Sequence, residues 1–171
     1  MVRNVGQVEY RVEPLGPHHD RVAFCCGVSE LDAYLQRQAG QDQRRNLAAV
    51  FVLTTDNRTV AGFYTLSAHS ILAADLPQEL AGKLPRFPLP VTLLGRMAVA
   101  QSLQWQGLGE HILLDALERA RLVARHVASW AVVVDAKPSA RGFYLKRDFK
   151  AFLTQPERLF LPMKTVEEMF E

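Results

Sequence analysis

Apolar and polar residues alternate with period two over residues 8–15, the spacing of a first, half-buried strand. The period then changes. Leu31, Tyr34, Leu35 and Ala39 fall on one face of a helix, and Ser29 stands where a side-chain N-cap is favoured. After a polar stretch at 41–46, residues 48–54 and 59–68 read as two strands with Asp56-Asn57 as the turn between them. Residues 69–90 carry Pro77, Pro85, Pro88 and Pro90, with a short helix expected over 78–82. A connection of that length in a compact domain tends to serve function. The apolar run 91–99 is a fourth strand. The helix that follows repeats Leu108, Ile112, Ala116, Ala120 and Val123. Residues 130–134 are nearly all apolar, as in a strand covered on both faces. A short helix over 139–146 and strands near 149–153 and 158–163 complete a mixed α/β pattern, expected to form one domain over 1–171.

Composition narrows the classes. A chain of 171 residues is long enough to bury a sizeable core, and no run approaches the roughly 18 uninterrupted apolar residues of a membrane span. The N-terminal residues lack an apolar signal-peptide core, so the expected compartment is the cytoplasm. Cys25 and Cys26 are adjacent and the only cysteines, so neither a disulfide framework nor a zinc site is expected. His18, His19, His69, His111 and His126 have no metal-ligand spacing, and no metal is expected. The formal charge of +2 does not by itself establish a nucleic-acid partner.

Chemistry concentrates between the fourth strand and its helix, in Gln104, Trp105, Gln106, Gly107, Leu108 and Gly109, followed by Glu110. A strand, a glycine-bearing turn and a helix start gather backbone N–H groups that have no helical acceptors, at the positive end of the helix dipole. The glycines let the main chain approach an anion closely. A ligand with a pyrophosphate is expected here.

This strand, Gln-x-x-Gly-x-Gly and helix together resemble the acyl-coenzyme A motif of the GNAT acetyltransferases. The stretch from Ala140 through Phe143-Tyr144 to Phe149 is similar to that family's second signature, with Asp148 in place of its usual glycine. Aspartate tolerates the left-handed backbone that the glycine would supply. A narrower resemblance covers the first half: Phe24 to Leu35, Gln41-Asp42, Gly62 to Ser67, and the Leu94 to Val99 strand are similar to GNAT toxins of bacterial type II toxin–antitoxin systems. The resemblance implies a GNAT fold with a mixed central sheet, flanking helices and a splayed cleft that binds acetyl-CoA. It implies acetylation of the α-amino group of aminoacyl-tRNA, arrest of translation, a ribbon-helix-helix antitoxin and a homodimer. Met97, Ala98 and Val99 would hold the pantetheine arm and aim an N–H at the thioester oxygen, and residues 104–110 would hold the pyrophosphate.

The same family likeness assigns Tyr144 as the general acid. With reference pKa values of about 10 for tyrosine and 8.5 for a thiol, its proton passes to the leaving thiolate only if transfer is coupled to bond cleavage. The alternative is that Phe143 and Tyr144 are both core aromatics, with Phe143 expected to be the more buried. No acidic residue lies between Val91 and Gln101. Deprotonating a lysine amine at pH 7 costs about 4–5 kcal/mol, an α-amine only about 1 kcal/mol, so a site without a nearby carboxylate favours an α-amine acceptor. Asp135 could act through water or cap the turn after its strand. Contact with RNA needs cations, and the candidates are Arg96, Arg44, Arg45, Arg86 and Lys146, with Arg141 and Arg147 beside them. Two other classes stay open: an ordinary GNAT enzyme for a small amine or protein N-terminus, and a non-catalytic acyl-CoA sensor.

Overall fold

The computed structural model describes residues 2–171, which fall into two compact units: 2–67 with Arg96–Ala116, and Ala68–Gly95 with Leu117–Glu171. In the first unit the alternating segments form an antiparallel meander, β1 (Val2–Val5), β2 (Val8–Pro14), β3 (Ala49–Thr54) and the first part of β4 (Gly62–Ile71). β1 was not foreseen. Four residues of mixed polarity carry no periodic signal, and Gly6, at φ +63°, is what turns the chain back into β2. The turn from β3 to β4 follows expectation: Asn57 sits at φ +65°, and the Asp56 carboxylate accepts the backbone N–H groups of Arg58 and Thr59 at 2.9 and 2.7 Å.

Helix α1 (Ser29–Arg37) is joined to a second short helix, α2 (Ala39–Arg44), made from residues whose polarity hid it. Ser29 is not the N-cap. Val28 occupies that position without a side-chain cap, and Asp32 instead turns back to accept the Cys26 N–H at 2.8 Å. Tyr34, Leu35 and Ala39 are buried with Leu15, Phe24, Val50, Val52, Phe63 and Ala98 in the core of this unit. The unit also holds the end of β5 (Leu89–Val99), adjacent to β4 in strand order. Gly62 lies against that end. A Cβ there would meet the Ala98 carbonyl oxygen at 2.9 Å and Ile112 Cδ1 at 2.6 Å. The isoleucine tip can move, but the carbonyl belongs to the neighbouring strand. Gly62→Ala is therefore expected to cost about 1–3 kcal/mol in urea unfolding, and an unchanged midpoint would refute the close approach.

In the second unit, strand order runs β5, β6 (Ala131–Asp135), β8 (Arg158–Pro162), β7 (Lys150–Ala151). β5 and β6 are parallel, and their register is short, from Thr92↔Val132 to Leu94↔Val134. The β6–β8 and β7–β8 pairs are antiparallel. The sheet is thus mixed, as a GNAT fold requires. Its core gathers Ile71, Leu76, Leu89, Val91, Ala131, Val133, Phe152 and Phe160. The proline-bearing connection contains a helical turn at Ala73–Asp75 and the short α3 (Gln78–Ala81). Helix α4 (Leu108–Ala124) contributes its first half to one unit and its second half to the other. Leu108, Ile112, Ala116 and Ala120 are buried as the stripe predicts, but Val123 is exposed one residue from the helix end. α5 (Arg141–Leu145) and a C-terminal α6 (Met163–Met169), which the sequence reading missed, complete the chain.

Candidate active site

The loop between β5 and α4 is shaped by its own backbone. Trp105 and Gly107 have φ of +68° and +78°, so the main chain reverses twice within three residues. The first helical hydrogen bond runs from the His111 N–H to the Gly107 carbonyl at 3.2 Å, which leaves the amides ahead of it without a helical acceptor. Gln104 holds the loop in place. Its side-chain amide donates to the Cys26 carbonyl at 2.9 Å and to the Val99 carbonyl at 3.1 Å. The side-chain N–H donors of Gln104 are therefore committed to protein carbonyls and fasten the loop. Leu108 is buried and can offer only its N–H, whereas Gln106, Gly107 and Glu110 are exposed. Trp105, whose placement the sequence left open, is fully exposed at the loop tip. Such a helix start with a glycine at positive φ fits the pyrophosphate of coenzyme A.

On β5, Met97 and Val99 are half-buried and Ala98 is buried. The Arg96 N–H donates to Thr65 Oγ1 at 3.1 Å, while its guanidinium carbon lies 3.7 Å from the centroid of the Tyr34 ring. The Tyr34 hydroxyl donates to Asp42 at 3.0 Å. Burial, reinforced by that carboxylate, pushes the Tyr34 phenol up to about 12. Tyr34 thus stays neutral and presents an electron-rich face to the arginine. Neither Tyr34 nor Asp42 was singled out in the sequence as a site residue. Their only signal was the Tyr34 and Gln41-Asp42 spacing within the first-half resemblance.

Tyr144 lies in the second unit, on α5, packed edge-on against Phe143 and Phe149 at centroid distances of 5.2 and 5.4 Å. The expected division of labour is reversed. Tyr144 is buried and packs on Phe149, whereas Phe143 is half-buried, with the Arg147 guanidinium over its ring at 3.9 Å. Burial pushes the Tyr144 phenol well above its ordinary pKa, so it keeps its proton throughout the physiological range. Asp148 adopts φ +70°, the left-handed conformation anticipated for the residue that replaces glycine.

A family model described as an acetyltransferase (GNAT) domain matches residues 27–165. The chain belongs to the GNAT family of acetyltransferases. It is an acetyl-CoA-dependent enzyme by that membership. Among proteins similar to it are the probable toxin TacT of Sinorhizobium fredii, 30% identical over 97% of this chain and 98% of the relative, and a tRNA-acetylating toxin of Mycobacterium tuberculosis, 38% identical over 85% and 87%. The toxin AtaT, complexed with acetyl-methionyl-tRNAfMet, superimposes with a TM-score of 0.87 at 27% identity, covering 95% of this chain and 99% of that one. AtaTR bound with AcCoA gives 0.83 at 28%, covering 95% and 98%.

Within this acetyltransferase the remaining candidates separate. Arg44 and Arg45 are exposed at the end of α2, and Arg86 and Lys146 are exposed in the second unit. Arg21, overlooked in the sequence, brings its guanidinium to the same side of Gly40 as Arg44, with Nη1 atoms 2.6 and 3.3 Å from the position a Cβ would take there. Arg141 is held by the Pro156 carbonyl at 3.1 Å. Asp135 neither caps a turn nor stands ready as a base, since Arg158 grips both its oxygens at 2.7 and 3.1 Å. Glu13, His18 and His19 do converge in space, although their spacing hid it. The Gly16 N–H donates to His19 Nδ1 at 2.9 Å, which places the ring proton on Nε2, facing Glu13 at 2.6 Å. In that tautomer both ring nitrogens are already used.

Among the described residues no helix is long and apolar enough to cross a membrane.

Proposed function

We propose that this acetyltransferase acts as a toxin, moving the acetyl group of acetyl-CoA to the α-amino group of aminoacyl-tRNA and so blocking translation. The observation that carries this reading is the 38% identity to a tRNA-acetylating toxin across 85% of the chain. The residues support it. β5 offers backbone and an arginine but no carboxylate, which suits an acceptor whose amine loses its proton for about 1 kcal/mol at pH 7.

Acetyl-CoA supplies the activated thioester. Residues 104–110 hold the pyrophosphate through backbone N–H groups, and Met97 to Val99 hold the pantetheine by strand-like hydrogen bonds. An N–H from β5 stabilises charge that develops on the carbonyl oxygen. Tyr144, kept protonated by burial, donates its hydroxyl proton toward the sulfur as the thiolate leaves. Because its pKa lies above that of a thiol, transfer is concerted with bond cleavage rather than preceding it. Arg96, with Arg44, Arg45, Arg86 and Lys146, provides cationic contacts for the tRNA backbone. We further read the cytoplasm as its compartment, a single acetyltransferase domain over residues 1–171, a homodimer as the assembly, and a ribbon-helix-helix antitoxin as its inhibitor.

Incubation with radiolabelled acetyl-CoA and a pool of charged tRNAs tests this directly. Label is expected on the aminoacyl group, and the rate is expected to fall steeply between 50 and about 200 mM salt as phosphate contacts are screened. Label appearing on a small amine or a protein N-terminus, with none on tRNA, would overturn the assignment in favour of an ordinary GNAT enzyme.

A further inference from the structure

The hairpin that precedes the family-matched residues reaches the cofactor loop. Arg3 of β1 donates from Nη1 to the Gly107 carbonyl at 3.1 Å, and its Nη2 lies 3.0 Å from the position a Cβ of Gly107 would take. This placement is electrostatically unfavourable for the protein alone, because a guanidinium sits at the positive end of α4. It also adds to burial in holding the imidazole of His111 below its ordinary pKa, and His111 Nε2 is buried with no hydrogen-bond partner. The described side-chain hydrogen bond of Arg3 goes to a carbonyl, not to a carboxylate. Two residues before Gly107, the Trp105 side chain stands fully in solvent, held there by a left-handed backbone that a bulky residue rarely adopts. A guanidinium whose described side-chain contact is a carbonyl and an indole that is fully exposed therefore flank the same glycine.

We propose that Arg3 and Trp105 form a second subsite for coenzyme A, in which the guanidinium of Arg3 binds the ribose 3′-phosphate and the indole of Trp105 stacks on the adenine. The inference rests on the acetyl-CoA reading of the loop and extends it to the far end of the same molecule. The loop amides can serve the two phosphate groups of the pyrophosphate. The third phosphate and the base then need partners beyond the loop, and Arg3 and Trp105 match those two needs: a forked donor for a phosphate dianion and a π-face for a purine.

The test compares coenzyme A with 3′-dephospho-coenzyme A by calorimetry, together with quenching of tryptophan fluorescence. The parent is expected to bind coenzyme A about ten- to a hundredfold more tightly than the dephospho form, the range for a charge-assisted contact. Arg3→Gln should erase that preference while leaving affinity for the dephospho form unchanged, and Arg3→Lys should restore part of it. Trp105→Ala should weaken both ligands alike, by about fivefold or more, and abolish most of the quenching. A merely structural tie between β1 and the loop would weaken both ligands in Arg3→Gln and preserve their ratio, which would overturn the proposal. Equal binding of the two forms by the parent would overturn it as well. Failure of the parent to bind either form would instead remove the acetyl-CoA reading on which it rests.

Discussion

Tyr144→Phe is expected to lower kcat for acetyl transfer by about 10²–10⁴-fold, the range for a positioned proton donor, while leaving acetyl-CoA binding and the unfolding midpoint nearly unchanged. The ring packs against Phe143 and Phe149, and phenylalanine fills the same space. What is lost is a single O–H. Because burial raises the phenol's pKa, the parent hydroxyl is fully protonated at neutral pH, and its removal should cost the same factor at pH 6 as at pH 8. A tyrosine acting as a base would behave differently, with activity rising as the phenolate formed. Single-turnover rates across that pH range, measured with calorimetric binding of acetyl-CoA, separate these outcomes. A Tyr144→Phe enzyme that turns over at the parental rate would refute the donor role and return the residue to the aromatic core.

Elements with a strong period or distinctive turn chemistry were legible in the sequence. The apolar β6 stands within a residue of its expected place, β4 is a strand displaced three residues toward the C-terminus, and the stripe of α4 is buried except at Val123, while Asp148 adopts the backbone that its substitution for glycine demanded. The missed elements, β1, α2 and α6, are short, with four to seven residues each. β1 and α2 have four and six residues, and each is held by pairing or packing with a neighbour rather than by a pattern of its own. Site residues divide the same way. The loop glycines read as a phosphate site from sequence alone because the chemistry proposed for them is local backbone chemistry. Arg3 beside Gly107, Arg21 beside Gly40, and Tyr34 beneath Arg96 are contacts between residues 19 to 104 positions apart, and no spacing rule reaches them. The misplaced pair was Phe143 and Tyr144. On a single helical turn the two faces differ by about 100°, and polarity alone assigned the hydroxyl to the outside. In the fold Tyr144 is the face that turns inward onto Phe149, while Phe143 lies half-exposed under the Arg147 guanidinium.

The largest loss of stability is expected from Phe63→Ala. Phe63 is fully buried in β4, and its ring meets Phe24 edge-on at 5.6 Å and stacks on Tyr34 at 6.3 Å. Truncating a buried phenylalanine to alanine costs about 3–5 kcal/mol through lost burial and the cavity left behind. Against a total of about 5–15 kcal/mol for a folded protein, that is a large fraction. The effect should also reach function. Tyr34 loses the ring behind it, and Arg96 rests on Tyr34, so the half-buried cation on β5 loses its support along with the core. Phe63→Leu, which keeps most of the volume, should recover most of the stability but not the aromatic stack. Urea unfolding of the two variants, paired with the KM for charged tRNA well below the transition, distinguishes the contributions. If Phe63→Leu restores both stability and KM, the stack contributes only volume. A KM that stays raised after stability returns assigns to Phe63 the positioning of Tyr34, and through it of Arg96.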